Sequence, residues 1–439
     1  MRLDVWIEGV DRPIGLLERH EDKTMSFIYA ADADMDVSLS MPRRDVPYGD
    51  AACRAFFSNL LFEGPELNRT RSLLGLDIDD VAGLLHHVGG DCAGAVSITP
   101  EGAGPGKFPG QFPEDYAPLP EADLRAIVTS LARFGRLPDA QRSPSPLAGY
   151  QGKLAVLRRE GGFYLPRNGT GAPTTHILKI SPANDPHVTS RETALLGIAR
   201  TAGLDAASAE NVTFTEGDHT VNACCVERFD RLTEGGGVHR LHGEDLCQAI
   251  GLPPDLKYEY DAVREDMTFT AKRVGGVMAR LSSPAGSMRK MLDQTLFNVL
   301  VGNTDNHGKN TTLLRDASGT IDVSPLYDVV PVFMDLTVTH NLGMRIGEAE
   351  FVDQVRAGDL SLVMKDFGFA KPDMKRLRER MSHFVDGIQT WAEPLGGVEL
   401  ADALSAQMRA VERGTGFDLG VAERGSYDRF SHDGHWIGF

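Results

Sequence analysis

Asp305, Asn306, His307, Lys309 and Asn310 stand within six consecutive positions of the stretch LVGNTDNHGKNTTLL (300–314). A carboxylate, an imidazole, an ammonium and two amides in so short a run offer a general base, hard oxygen ligands and a cation for an anionic substrate. Asp305 and Asn310 are five positions apart, the interval a kinase catalytic loop uses between its base and its metal-binding asparagine. Amide and carboxylate oxygens are hard ligands that suit Mg2+. The same letters also make an ordinary polar turn, the commoner use of this composition.

Further candidates lie on either side. Lys179 in THILKIS has apolar neighbours on both sides of the pleat. Such a lysine needs a partner or an escape to water. One reading is a side chain snorkelling from an edge strand; the other is a lysine aimed at nucleotide phosphates, its direction fixed by Glu192. The small-residue turn LAGYQGK (147–153) has backbone N–H groups that could cradle phosphate. ERFDR (227–231) stands where the texture changes, the place for a hinge that hydrogen-bonds adenine through its backbone.

The elements that must position these residues follow from periodicity. SMRKMLDQTLFNVLVGN puts Met288, Leu292, Leu296 and Leu300 on one face, so a buried helix delivers the chain to the loop. TTLLRDASGTIDVS predicts a hairpin turning at DASG. Its second strand runs into PLYDVV, which brings Asp328 beside the loop. KLAVLRR and GFYLP predict a second hairpin, THILKIS and NACCVERF two more strands, and SRETALLGIARTAG a helix. Beyond 240 the pattern is helical, with GEDLCQAIG, KRLRERMSHFVDGIQTWAE and LADALSAQMRAVERG as helices. In the first hundred residues LDVWIEGV and MSFIYA read as strands, and DAACRAFFSNLLF and DIDDVAGLLHHVG as helices. Gly and Pro in 101–120 mark a boundary.

The chain has 439 residues, 41% hydrophobic and 24% charged, with a net charge of −17. That is a globular composition with several domains' worth of core. An acidic surface excludes non-specific coating of nucleic acid. No signal peptide, transit peptide or membrane span is legible. Five cysteines without paired metal spacing predict reduced thiols, no structural zinc and a cytoplasmic location.

Taken in order, LAGYQGK, THILKIS, VERFDR, LHGEDLCQAIGLPPDLKYE, GNTDNHGKN and LYDVV resemble the HipA family, serine/threonine kinases that act as the toxin of a type II toxin–antitoxin pair. VGGDCAGAVSITP (88–100) resembles the family's N-terminal subdomain. The resemblance implies an α+β, bilobal, protein-kinase-like fold with an N-terminal α/β subdomain and a helical C-terminal lobe. The expected divisions are 1–101, a linker with a short helix at 102–144, a nucleotide-binding lobe at 145–229 and a helical lobe at 230–439. It further implies ATP and Mg2+ as cofactors and Asp305 as catalytic base. Asn310 and Asp328 become metal ligands, and Lys179 the phosphate lysine. Ala148, Gly149, Tyr150, Gln151, Gly152 and Lys153 become the phosphate loop. Glu227 and Phe229 form the adenine-side hinge, with Gln248 and Tyr327 near the nucleotide. Lys309 is placed against the γ-phosphate and His307 as a brace of the loop. The implied partners are a helix-turn-helix antitoxin (HipB-like), operator DNA reached mainly through that antitoxin, and a protein substrate. That substrate is expected to be an aminoacyl-tRNA synthetase, glutamyl-tRNA synthetase first. No membrane partner is expected. A pseudokinase binding module and a kinase of small molecules or lipids are the rival readings.

One position departs from the family. The serine that such kinases phosphorylate three residues before the first glycine of the loop is Pro146 here. Ser145 and Ser143 are the neighbouring hydroxyls that could take its place.

Overall fold

The computed structural model describes residues 1–138, 151–216, 219–262, 264–425 and 427. Ala148, Gly149 and Tyr150 of the expected phosphate loop, and Ser143, Ser145 and Pro146 before it, lie outside the described residues. The chain divides into two compact units. The first holds 1–189, 209–257 and 312–324; the second holds 190–208, 258–311 and 325–439. The first unit is the strand-rich one.

In the first unit, β1 (Arg2–Ile7), β2 (Gly15–Arg19), β3 (Met25–Tyr29) and β4 (Val96–Pro100) form an antiparallel sheet in the order β3-β2-β1-β4. Its apolar face packs Leu3, Val5, Leu17 and Phe27 with Phe56 and Phe57 of α1 (Asp50–Phe57) and Leu84 and Leu85 of α3 (Val81–Val88). Between those helices runs α2 (Gly64–Leu74). Helix α3 starts later than the acids of DIDD suggest. Asp80 is its N-cap and accepts from the Gly83 amide, so this acid closes the helix end instead of lying in the first turn.

A second sheet carries the order β10-β11-β9-β7-β8-β6. Its strands are β6 (Tyr116–Pro118), β7 (Lys153–Arg159), β8 (Gly162–Pro166), β9 (His176–Ile180), β10 (Ala209–Glu216) and β11 (His219–Glu227). The expected hairpin of β7 and β8 turns at Glu160 and Gly161, both at positive φ, as a two-residue turn between twisted strands requires. Helix α4 (Glu121–Phe134) covers one face, packing Ile127, Val128 and Leu131 on Leu154, Val156, Leu178 and Ile180. Short strands β5 (Gly110–Gln111), β12 (Arg231–Glu234) and β13 (Gly237–Arg240) form a third sheet.

The last sheet of this unit pairs β14 (His242–Asp245), β15 (Thr312–Arg315) and β16 (Ile321–Val323). It corrects one expectation. GEDLCQAIG is not helical throughout: its first residues belong to β14, and α6 (Leu246–Ile250) begins after the Asp245 cap. Register with β15, Asp245 opposite Thr312, overrides the helical spacing of the apolar residues.

The second unit is helical. The later part of α5 (Val188–Thr201) joins α7 (Ala271–Met278), α8 (Pro284–Val301), α9 (Ala357–Asp366) and α10 (Met374–Thr415). Helix α10 is two helices merged across a kink at Gly397, φ 82°, as the two separate apolar patterns predicted. Along α8, Leu292, Leu296 and Leu300 are buried and Met288 is half-buried, the expected stripe. Arg380 of the basic run MKRLRER pairs with Asp293, and the other basic side chains of the run are exposed. No helix among the described residues is long and apolar enough to cross a membrane. All five cysteines are buried and none forms a disulfide.

Candidate active site

Helix α8 ends at Gly302, whose φ of 68° makes the left-handed C-cap. The chain then enters Asn303–Asn310, a loop braced from within. The His307 amide donates to Asp305 O (2.9 Å) and the Asn310 amide to His307 O (2.9 Å). The Lys309 amide donates to His307 Nδ1 (3.2 Å). These bonds tie His307, which is buried, into the loop backbone.

Asn310 and Asp305 meet directly. Asn310 Nδ2 donates to the Asp305 carbonyl at 2.8 Å. Only the NH2 end of an amide can face a carbonyl oxygen, so this bond turns Asn310 Oδ1 away as a hard acceptor. Asp305 itself is half-buried, and its Oδ1 accepts the Tyr258 hydroxyl at 2.6 Å.

The segment with Asp328 is held against the same loop. Leu326 is tied by backbone bonds to Asp205 and Ala207 (both 2.8 Å). The Tyr327 hydroxyl donates to Lys309 O at 2.9 Å, and Asn303 Nδ2 lies 3.5 Å from Asp328 O. Tyr327 is thus a strut between segment and loop. Asp328 adopts φ 56°, a left-handed backbone that Asp and Asn tolerate better than most residues. Such a conformation fixes where the carboxylate leaves the chain.

The residues suit a metal-bound phosphate. Among the described residues, no group of three or more His, Cys, Asp or Glu side chains forms a metal cage. Mg2+ does not need one, since it is usually held by one or two protein oxygens together with phosphates and water. Asn310 and Asp328 carry side-chain oxygens of that kind.

In the strand-rich unit, Lys179 stands directly opposite Lys153 in the β7–β9 ladder. Their neighbours Leu154, Leu178 and Ile180 face α4, so alternation puts both lysines on the other face of the sheet. Strand β9 lies between β11 and β7, which removes the snorkelling alternative: Lys179 is on a central strand and is only 6% exposed. Two ammonium groups side by side on one face destabilise the sheet unless an anion or acid answers them. Gln151 and Gly152 lead into β7, and Gly152 O accepts the Ile180 amide. Glu192, the expected partner, is itself buried on α5.

At the end of β11, Glu227 is exposed and Phe229 half-buried. The stretch is stiffened by Asp230, which takes paired bonds from Arg228 (3.0 and 2.8 Å) and one from Arg231 (2.7 Å). Burial opposes a charge there, but the two guanidinium groups hold the Asp230 carboxyl well below the usual range. Gln248, expected near the nucleotide, is buried. Its Oε1 accepts the Asp245 amide (3.0 Å) and its Nε2 donates to Phe56 O (3.3 Å). The buried amide closes a capping box and links α6 to α1. Sequence reasoning assigned no role to Tyr258, although it quoted the motif that carries it.

Residues 145–391, more than half of the chain, match the HipA-like C-terminal domain, and residues 3–99 match the HipA N-terminal domain. The chain belongs to the HipA family. It is 33% identical to "Putative kinase Y4mE" of Sinorhizobium fredii, over 88% of this chain and 89% of that one. It is 28% identical to the serine/threonine-protein kinase toxin HipA of Shewanella oneidensis, over 77% and 78%. The HipA of Shewanella oneidensis MR-1, solved in a complex of HipA, HipB and operator DNA, superposes with a TM-score of 0.77 at 25% identity. That match covers 94% of this chain and 98% of that one. The fold is accordingly α+β and of the kinase-like HipA type.

Proposed function

We propose that this HipA-family chain is an ATP- and Mg2+-dependent serine/threonine protein kinase acting as the toxin of a HipBA-type pair. The observation that carries the reading is the loop Asp305–Asn310. Its base and amide ligand are locked together by one bond, with Asp328 held against the same loop. Asp305 accepts the proton of the acceptor hydroxyl as its oxygen bonds to the γ-phosphorus. The bond from that phosphorus to the bridging oxygen breaks, and ADP leaves with the electron pair. Asn310 and Asp328 would hold Mg2+, which neutralises phosphate charge. Lys153 and Lys179 bind phosphate oxygens, Gln151 and Gly152 extend the phosphate loop towards Ala148, and Glu227 and Phe229 border the adenine. Lys309 serves the γ-phosphate.

The relatives' names support protein serine or threonine as acceptor. An aminoacyl-tRNA synthetase, glutamyl-tRNA synthetase first, is the proposed substrate, with translation arrest as the outcome. The solved Shewanella assembly supports a HipB-like antitoxin that carries the chain to operator DNA. The proposed compartment is the cytoplasm. Brief expression of wild type beside Asp305→Asn, followed by phosphoproteomics, tests the substrate. A new phosphoserine or phosphothreonine on a synthetase, seen with wild type alone, is expected. Identical phosphoproteomes would count against a protein acceptor.

A further inference from the structure

The Tyr258–Asp305 contact joins residues 47 positions apart, and the reaction as proposed does not use it. A carboxylate oxygen can only accept, so the phenol is the donor, and at 2.6 Å the bond is short and charge-assisted. It engages Oδ1 and so fixes the direction of the carboxylate.

Tyr258 is also held in place. Its ring stacks on Tyr260 (centroids 4.8 Å apart, planes at 15°) and meets the buried His307 edge-on (4.9 Å, 85°). The backbone on both sides of the contact is tied to a single residue. The Glu259 amide donates to Gly343 O (2.8 Å), and the Gly343 amide donates to Thr304 O (2.7 Å). The Glu259 carboxylate adds a bond from the Arg345 amide (2.7 Å). Gly343 lies so close to the loop that an added Cβ would sit 3.0 Å from Asn306 C and His307 N. Residues 258–260, 343–345 and 304–307 thus form one hydrogen-bonded frame.

We infer that Tyr258 is a positioning residue that fixes the rotamer of the phosphotransfer base. The inference rests on the reading of Asp305 as the base. A tyrosine hydroxyl on a catalytic carboxylate could instead mimic the acceptor and block it, but that role requires the ring to swing away, and the clamping by Tyr260 and His307 opposes this.

The test compares purified full-length wild type, Tyr258→Phe and Asp305→Asn in phosphotransfer from γ-labelled ATP. Tyr258→Phe keeps the ring and its packing and deletes only the donor. The expected result is a fall in kcat of about 10- to 100-fold, the size of one lost hydrogen bond to a charged group. KM for ATP should change by less than about threefold. Wild-type kcat in Tyr258→Phe, with Asp305→Asn inactive, would overturn the inference and leave the kinase reading standing. Faster turnover in Tyr258→Phe would overturn it in favour of acceptor mimicry. An active Asp305→Asn would remove the base itself and overturn both.

Discussion

At the scale of single residues, the candidate site depends on a few oriented bonds. Asp328 is the clearest case. Its left-handed backbone makes Asn a better probe than Ala, because Asn keeps that conformation and loses the charge. Asp328→Asn should lower phosphotransfer at least about 100-fold while unfolding free energy changes by less than about 1 kcal/mol. Denaturant titration beside a labelled-ATP assay measures both. Lys179 makes a second prediction. Buried on a central strand opposite Lys153, it should bind phosphate through charge-assisted bonds. Lys179→Met should weaken ATP binding at least about tenfold. The rise in Tm that saturating Mg2+–ATP gives the wild type should shrink accordingly. An unchanged ATP affinity by calorimetry would remove Lys179 from the site.

At the scale of elements, α8 and the strand β14 each carry a testable contact. Gly302 ends α8 at φ 68°, and a Cβ there would lie 2.3 Å from the Phe333 ring. Gly302→Ala should therefore cost roughly 1–3 kcal/mol from overpacking and left-handed strain. It should also reduce activity by shifting the loop that begins one residue later, as unfolding curves and kcat together would show. Strand β14 carries a pH-sensitive contact. Its Glu244 is buried, with Oε1 accepting the Leu39 amide (2.8 Å) and Oε2 the Ser38 hydroxyl. Burial pushes the Glu244 carboxyl up to about 7 despite those donors, with Asp245 raising it and Arg315 lowering it further. The folded state then binds a proton that the unfolded state has released. Stability from this group is complete below about pH 4.5 and is lost as pH rises towards 7, at up to about 1.4 kcal/mol per unit. Glu244→Gln should flatten that slope in thermal denaturation between pH 4.5 and 7.5.

These elements differ in how far the sequence announces them. The apolar stripe of α8 and the DASG hairpin predicted that Asp328 would reach the loop, because short-range periodicity sets both. The bond from Tyr258 to Asp305 was not legible, since nothing local links two residues 47 positions apart. The same holds for the Gln248 amide, whose partner Phe56 O is 192 positions away. Strand order is equally non-local, so THILKIS could be read as a strand while its place at the centre of the sheet could not. GEDLCQAIG misled because its apolar spacing fits a helix, whereas pairing with β15 decides the first half.

At the scale of the whole molecule, the two units divide the proposed chemistry. Lys153, Lys179 and Glu227 lie in the strand-rich unit, and Asp305, Asn310 and Asp328 in the helical one. With a net charge of −17, the chain is poorly suited to hold DNA alone, in keeping with the proposal that an antitoxin carries it there. Replacement of the family's loop serine by Pro146 leaves Ser145 as the proposed site of self-phosphorylation, with control by the antitoxin alone as the other outcome.

The central claim is that Asp305 makes this chain a kinase. Its most direct test is phosphate transfer from γ-labelled ATP in Mg2+ to serine or threonine, by purified wild type and Asp305→Asn, with folding of both checked by circular dichroism. Transfer by wild type and a loss of at least about 100-fold in the folded variant is the predicted result. Equal transfer by both, or none by folded wild type given ATP, Mg2+ and lysate proteins, would contradict it.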